Sequence, residues 1–252
     1  MLNQQTDLSP DLDWMLQSDQ ANPDMLLEIL VVQYYRPVFQ IADAILADGL
    51  AARKAVETIF SLAVLEKYRY RGEIRAEVWL YRLALQVAFE QARVRSLSGP
   101  GESFTKRAVE ASYSVADRLL LPVIGDLQPE ERLVLLLREV HGRDIPEISQ
   151  IMELEASGVF AILSQARQPV RAALAAQEPE GRSLDMDLSE RLAGVWPVDR
   201  LDQDEARELI QVIRMRTRQA GSRRRGLAAL KETALVALVL SLIHISEPTR
   251  PY

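Results

Sequence analysis

Apolar residues recur at three- and four-residue steps through every long segment of this chain, and strand-type alternation is absent. That period belongs to helices packed by one face, so the fold is read as all-α. Leu26, Leu27, Leu30, Val31 and Tyr34 mark the inner side of a helix from about Asp24 to Leu46. Asn22-Pro23 opens it, and Pro37 inside it is expected to kink it, because proline lacks the backbone donor. A second helix spans about Leu50–Lys67, with Val56, Ile59, Phe60, Ala63 and Val64 as its apolar side. The turn Tyr68–Gly72 leads into a third, where Trp79, Leu80, Leu83, Ala84 and Val87 form one stripe and Trp79 is expected to be buried. Arg82, Gln86, Glu90 and Arg93 fall on its other side. Helices joined this closely pack as an antiparallel bundle.

A second helical set begins near Val115, after a polar, Gly- and Pro-containing linker. Leu119–Leu127 has helical spacing, and Pro129-Glu130-Glu131 opens the next helix with proline and acids in its first turn. Gly142 is a natural stop. Asp144 with Glu147 is an acidic variant of the capping box, starting a short helix with Ile145, Ile148 and Ile151 inward. A turn at Glu153–Glu155 separates it from a last helix, about Ala156–Ala176. Two short helices with a three-residue turn make a helix-turn-helix. The expected organisation is a loose arm (1–22), a helical bundle (23–95), a linker (96–114), a helix-turn-helix domain (115–176) and a C-terminal extension (177–232). Residues 233–252 form an apolar segment and tail.

The wording of the third helix carries more than its period. Arg71-Gly72-Glu73, a spacer, Trp79-Leu80-Tyr81-Arg82 and an apolar helix ending in arginines resemble the second conserved region of bacterial sigma-70 factors of the extracytoplasmic-function group. The likeness reaches back through Tyr34–Phe39 and Val56–Phe60. The run LQPEERLVLLLREVHGRDIPEISQIM similarly resembles the fourth region of that family. The resemblance implies a transcription initiation factor whose partners are core RNA polymerase and promoter DNA, with an anti-sigma or sensor partner. It implies −10 contacts at Arg71, Trp79, Arg82, Gln86, Glu90 and Arg93. Helix-turn-helix contacts would fall at Ser157, Phe160, Ala161, Ser164, Gln165 and Arg167, and polymerase contacts at Arg53 and Glu57.

Two departures qualify that picture. The family's second helix carries an acidic run that docks on polymerase, whereas this one reads Leu50-Ala51-Ala52-Arg53-Lys54-Ala55-Val56-Glu57. Reversed charge at a polar interface costs on-rate and register. The family's recognition helix reads Thr-Val-Lys-Ser-Arg-Leu-x-Arg-Ala-Arg, and here Phe160, Ile162 and Gln165 replace the outward cations. Base reading needs donors and acceptors, and phosphate anchoring needs charge. The net charge of −6 adds to this, since a DNA binder usually shows a basic footprint. The alternative reading is a membrane-tethered, degenerate sigma-like regulator that has lost promoter reading. A weaker third option, an output domain of the two-component type, rests on the helix-turn-helix alone.

Other chemistry is absent from the pattern. Zero cysteines exclude disulfides and cysteine-ligated zinc. His141 is the one histidine outside the extreme C-terminus, and at a helix end it more often meets carbonyls than a metal. No Gly-rich phosphate loop, paired-carboxylate cleft or nucleophile with a matching base occurs, so neither an enzyme nor a cofactor is expected.

Beyond Gln177, Glu178–Asp187 reads as a polar linker and Leu188–Val198 as a short anchoring segment around Trp196-Pro197. Asp202–Arg218 is an amphipathic helix with Ala206, Leu209, Ile210 and Ile213 on one side. It is expected to cover Phe160 and Ile162 on the second domain, because exposed apolar patches tend to be masked. Arg214, Arg216, Arg218, Arg223, Arg224, Arg225 and Lys231 follow with no acid between them, ahead of the apolar run Thr233–Leu240. A basic cluster before an apolar helix is a cytoplasmic juxtamembrane signature, so a membrane anchor facing the cytoplasm is expected. Leu240–Arg250 resembles a translated sequencing adapter, so the natural sequence is expected to continue differently past about Val239.

Overall fold

The computed structural model describes residues 12–18, 20–96, 115–176, 184–196 and 201–220. Every regular element among them is helical, and no strand occurs among the described residues. The first bundle is α1 (Leu12–Gln17), α2 (Pro23–Leu46), α3 (Gly49–Leu65) and α4 (Ala76–Ser96). The second is α5 (Val115–Asp126), α6 (Pro129–Leu135) continuing as a π-turn (Leu136–Val140), α7 (Ile145–Met152) and α8 (Ala156–Ala175). Two further helices follow, α9 (Leu184–Val195) and α10 (residues 203–220).

Local chemistry sets the ends. The Asn22 side chain accepts from the Asp24 amide at 2.9 Å and Pro23 sits in the first turn of α2. Asp48 caps α3 by accepting from the Ala51 amide, and it also takes a hydrogen bond from Arg95 at 2.6 Å, tying the start of α3 to the end of α4. The Asp144–Glu147 capping box opens α7 as its spacing predicts. Gly142 takes φ +66°, a left-handed value that suits a residue without a side chain.

Four features depart from expectation. Helix α2 runs unbroken through Pro37. The carbonyl that proline leaves without a donor belongs to Gln33, an exposed residue, so the missing bond does not bury an unpaired group in the core. Residues 12–17 of the supposed loose arm form a helix with Met15 fully buried, and Asp13 accepts from the Ala76 amide at 3.1 Å, capping α4. The polar segment 178–187 already turns helical at Leu184, ahead of the buried Leu188, Leu192 and Trp196. Trp79 is half-buried, because the fully buried face of α4 is Ala76, Leu80, Ala84 and Ala88 with Tyr81, rotated away from it.

The two bundles pack against each other, α6 and the π-turn on α2 and α7 on α4. Arg132, buried in the second bundle, donates its Nε–H to the Ala44 carbonyl at 2.6 Å and reaches the Leu127 carbonyl at 2.5 Å. Helix α9 lies against α5 and the π-turn. Its Ser189 hydroxyl donates to Glu139 at 2.7 Å, and Glu139 also holds Arg167.

Candidate nucleic-acid interface

The turn before α4 is built to present side chains. A short 3-10 turn, Lys67–Arg69, follows α3, and Lys67 donates to the Ser18 carbonyl at 3.0 Å. Gly72 has φ +77°, a left-handed value that L side chains rarely adopt, so the Arg-Gly-Glu turn favours its glycine. The Tyr70 hydroxyl donates to the Ile74 carbonyl at 2.8 Å and meets Asp13. Held this way, the Tyr70 ring lies 5.7 Å from the Trp79 ring.

Around that ring pair stand Arg69, Arg71 and Arg82. Tyr68, next to Arg69 in sequence, is 69% exposed. Arg69 pairs with Glu66 at 2.8 Å but leaves much of its guanidinium in solvent. Tyr70 is buried and backs the partly open Trp79 ring, so Trp79 is the face of the pair that an unpaired base can reach, with arginines and Glu73 at the rim. The residues matched from sequence leave out Tyr68 and Arg69, although the alternating Tyr68-Arg69-Tyr70-Arg71 is a signal for them.

The six residues matched to −10 contacts divide. Trp79, Arg82 and Gln86 line one cleft of about 690 Å³ with Arg69 and Phe89. Arg71 borders the adjoining notch with Trp79. Glu90 and Arg93 pair with each other at 2.7 Å toward the far end of α4. Glu90 there lines a groove with Leu50 and Lys54, away from the ring pair.

The second bundle closes over the cleft with acids. Arg82 donates to the Gln150 carbonyl and pairs with Glu153, both at 2.8 Å. Arg75 pairs with Glu147 at 3.0 Å and Glu77 at 2.8 Å. Arg143 bonds Glu77 and lies over the Tyr81 ring at 5.7 Å. Burial and the Glu77 charge push the Tyr81 phenol above its usual range. His141 meets Gln40 through Nε2 at 3.0 Å, and burial, then Arg143 and Arg36, lower its pKa to about 4. A neutral imidazole therefore sits in this seam at neutral pH.

On the helix-turn-helix, α8 buries Val159, Leu163, Ala166 and Val170 and turns Ser157, Phe160, Ala161, Ser164 and Gln165 outward. Phe160 is 63% exposed and Ile162 is half-buried. Arg167 does not project from that face, because Glu139, itself nearly buried, holds it by two hydrogen bonds. Over residues 157–165 the outward face of α8 is thus neutral, and Arg171 is the exposed cation further along the helix.

The expected cover over Phe160 does not form. Helix α10 sits on the first bundle instead, where Arg214 pairs with Asp24 and Arg216 with Glu57, each at 2.7 Å. Arg53 faces Glu205 at 3.7 Å. The two residues matched to polymerase contacts are both engaged by α10. Arg218 is exposed near the end of α10, whereas Arg223, Arg224, Arg225, Lys231 and the apolar run lie outside the described residues, and among the described residues no helix is long and apolar enough to cross a membrane.

Residues 118–168 match the family model described as Sigma-70, region 4. The chain is similar to the RNA polymerase sigma-H factor of Pseudomonas aeruginosa, 22% identical over 166 residues that span 58% of this chain and 85% of that protein. Among solved structures it matches the sigma factor RpoE, from its co-crystal with the anti-sigma factor NepR of Bartonella quintana. That match has a TM-score of 0.49 and 15% identity, covering 62% of this chain and 100% of that one.

Proposed function

We propose that this chain, a sigma-70 family factor of the extracytoplasmic-function group, contacts single-stranded promoter DNA through the 66–75 turn and α4 while bound to core RNA polymerase. The observation that carries this reading is the half-buried Trp79 ring, backed by the buried Tyr70, with the exposed Arg69 and Arg71 beside it and the exposed Tyr68 next to Arg69 in sequence. Aromatic faces stack any unpaired base and arginines hold the phosphates between them, which is what opening a duplex requires. The helix-turn-helix keeps its fold but presents a neutral face over residues 157–165, so duplex reading by that part of α8 contributes little. Its place of action is the cytoplasm, where polymerase and promoters are.

Core polymerase pull-down with the full chain, followed by cross-linking to a fork-junction DNA, tests this. The expected result is polymerase-dependent cross-linking to the unpaired strand, lost on Trp79→Ala. Absence of both polymerase and DNA binding would overturn it.

A second reading is a sigma-like interaction protein that has lost promoter reading and is tethered at the membrane. It is favoured by Phe160 standing exposed where a cation would read DNA, and by Arg167 being committed to Glu139. In that case Phe160 belongs to a surface for a protein partner of the sensor or anti-sigma kind. Recovery of the protein in the membrane fraction, with no polymerase in the pull-down, is the outcome that selects it.

A further inference from the structure

Helix α10 is folded onto the first bundle with more than one kind of contact. Asp202 caps it, accepting from the Asp204 and Glu205 amides at 2.8 Å, while Glu205 accepts from the Asp202 amide at 3.0 Å. Ile213 is fully buried, and Leu201, Ala206, Leu209 and Ile210 pack against the core. The charge order is matched at both ends. The acidic beginning of α10 meets Arg53, and its basic end meets Asp24 and Glu57.

The match explains the most conspicuous oddity of α3. A cation at position 53 is a poor complement to a polymerase surface that receives acids, but it is a good complement to Glu205 on this chain's own α10. Glu57, the acid that stays, is taken by Arg216. We infer that α10 is an intramolecular clasp occupying the α2–α3 face, which must leave before that face docks on another protein. The inference rests on the polymerase reading above. It adds to it a closed state in which the docking face is filled by the chain's own C-terminal extension.

Release is within reach of solution conditions. The three ion pairs lie at the rim, partly in solvent, where such pairs are weak and screened by salt. The apolar contact beneath them is narrow, with Ile213 the one fully buried side chain among the described residues of α10. A partner helix with acids toward Arg53 and a cation toward Glu57 competes for the same groups.

Because the chain has no cysteine, an engineered pair reports the clasp cleanly. Val32 and Gln203 border the same notch between α2 and α10, and neither carries a charge that the three ion pairs use. In the full chain carrying Val32→Cys and Gln203→Cys, a short bis-maleimide should join the two sites and lower core-polymerase affinity at least tenfold against the uncross-linked protein. In a second variant, Arg214→Glu with Arg216→Glu, cross-linking of the same pair should fall and polymerase affinity should rise several-fold. Failure of the pair to cross-link overturns the clasp. So does equal polymerase binding by the cross-linked and open forms, which leaves the polymerase reading standing. If neither form binds polymerase, the polymerase reading fails and the inference falls with it.

Discussion

Arg132 reaches out of the second bundle and donates to the carbonyl of Ala44, 88 residues earlier, at the end of α2. It also satisfies the Leu127 carbonyl and approaches Ile45. One buried guanidinium thereby closes the carbonyl ends of α2 and α5 together. Burial lowers its pKa, and the nearby Asp43, Glu130 and Glu131 charges act in the opposite direction. Arg132→Leu should leave these carbonyls without a donor and cost about 3 kcal/mol, since each unsatisfied buried group costs roughly 1–3 kcal/mol. A urea midpoint unchanged from the parent protein would contradict the assignment.

Acid should loosen the seam between the bundles. His141 has its pKa lowered to about 4, below the ordinary value, so the unfolded or separated state binds the proton more readily. The stability it contributes is full above about pH 6.5 and is lost as pH falls through 4. The loss should be on the order of 2–3 kcal/mol, because each tenfold weakening of proton binding is worth about 1.4 kcal/mol. Thermal unfolding from pH 7 to 4 measures it, and His141→Gln should flatten the slope in that window. An equally steep slope in the variant would place the pH dependence elsewhere.

Trp79→Ala should weaken DNA contact more than it weakens the fold. The ring is half-buried against Tyr70, so truncation should cost about 2 kcal/mol rather than the roughly 3–5 kcal/mol of a core aromatic. Loss of one stacking platform should weaken single-strand binding by about 1–3 kcal/mol. Chemical unfolding and fluorescence anisotropy with a labelled oligonucleotide separate the two effects. A stability loss of core size with unchanged DNA binding would make Trp79 a packing residue only.

The neutral face of α8 should bind duplex weakly and with a shallow dependence on salt. Phe160→Lys with Gln165→Arg restores two outward cations on exposed positions. Two added phosphate contacts should steepen the log–log salt slope by about 1.8. Titrations of a −35-type duplex at several salt concentrations check this. A steep slope already present in the parent protein would show that the face is not blunted.

Breaking the seam itself should open the cleft around Trp79 and Arg82. Glu153→Lys places a like charge against Arg82 and removes one tie between α7 and α4. Glu153 is largely exposed, so the effect on global stability should be under about 1 kcal/mol. Single-strand affinity should rise, because Arg82 and the cleft around Trp79 become available to DNA. Unchanged affinity would mean that the closed seam does not limit access.

What the chain's own sequence determines is local. The α4 period, the Asp144–Glu147 box, the stop at Gly142 and the neutral outward side of α8 follow from spacing of three to four residues. Those contacts are made within one or two turns, whatever the rest of the molecule does. The helix-turn-helix and the likeness to sigma-70 regions are legible for that reason. What only the tertiary structure decides is which charges are free. Arg71 and Arg82 look equivalent along the chain, yet packing leaves Arg71 exposed and ties Arg82 to Glu153 across the seam. The place of α10 escapes the sequence for the same reason. Its apolar stripe fits any apolar neighbour, and proximity along the chain favours the second bundle. The choice of α2 and α3 is made by Asp24, Glu57 and Arg53, whose pairing with residues some 150 to 190 positions later exists only once the first bundle has assembled.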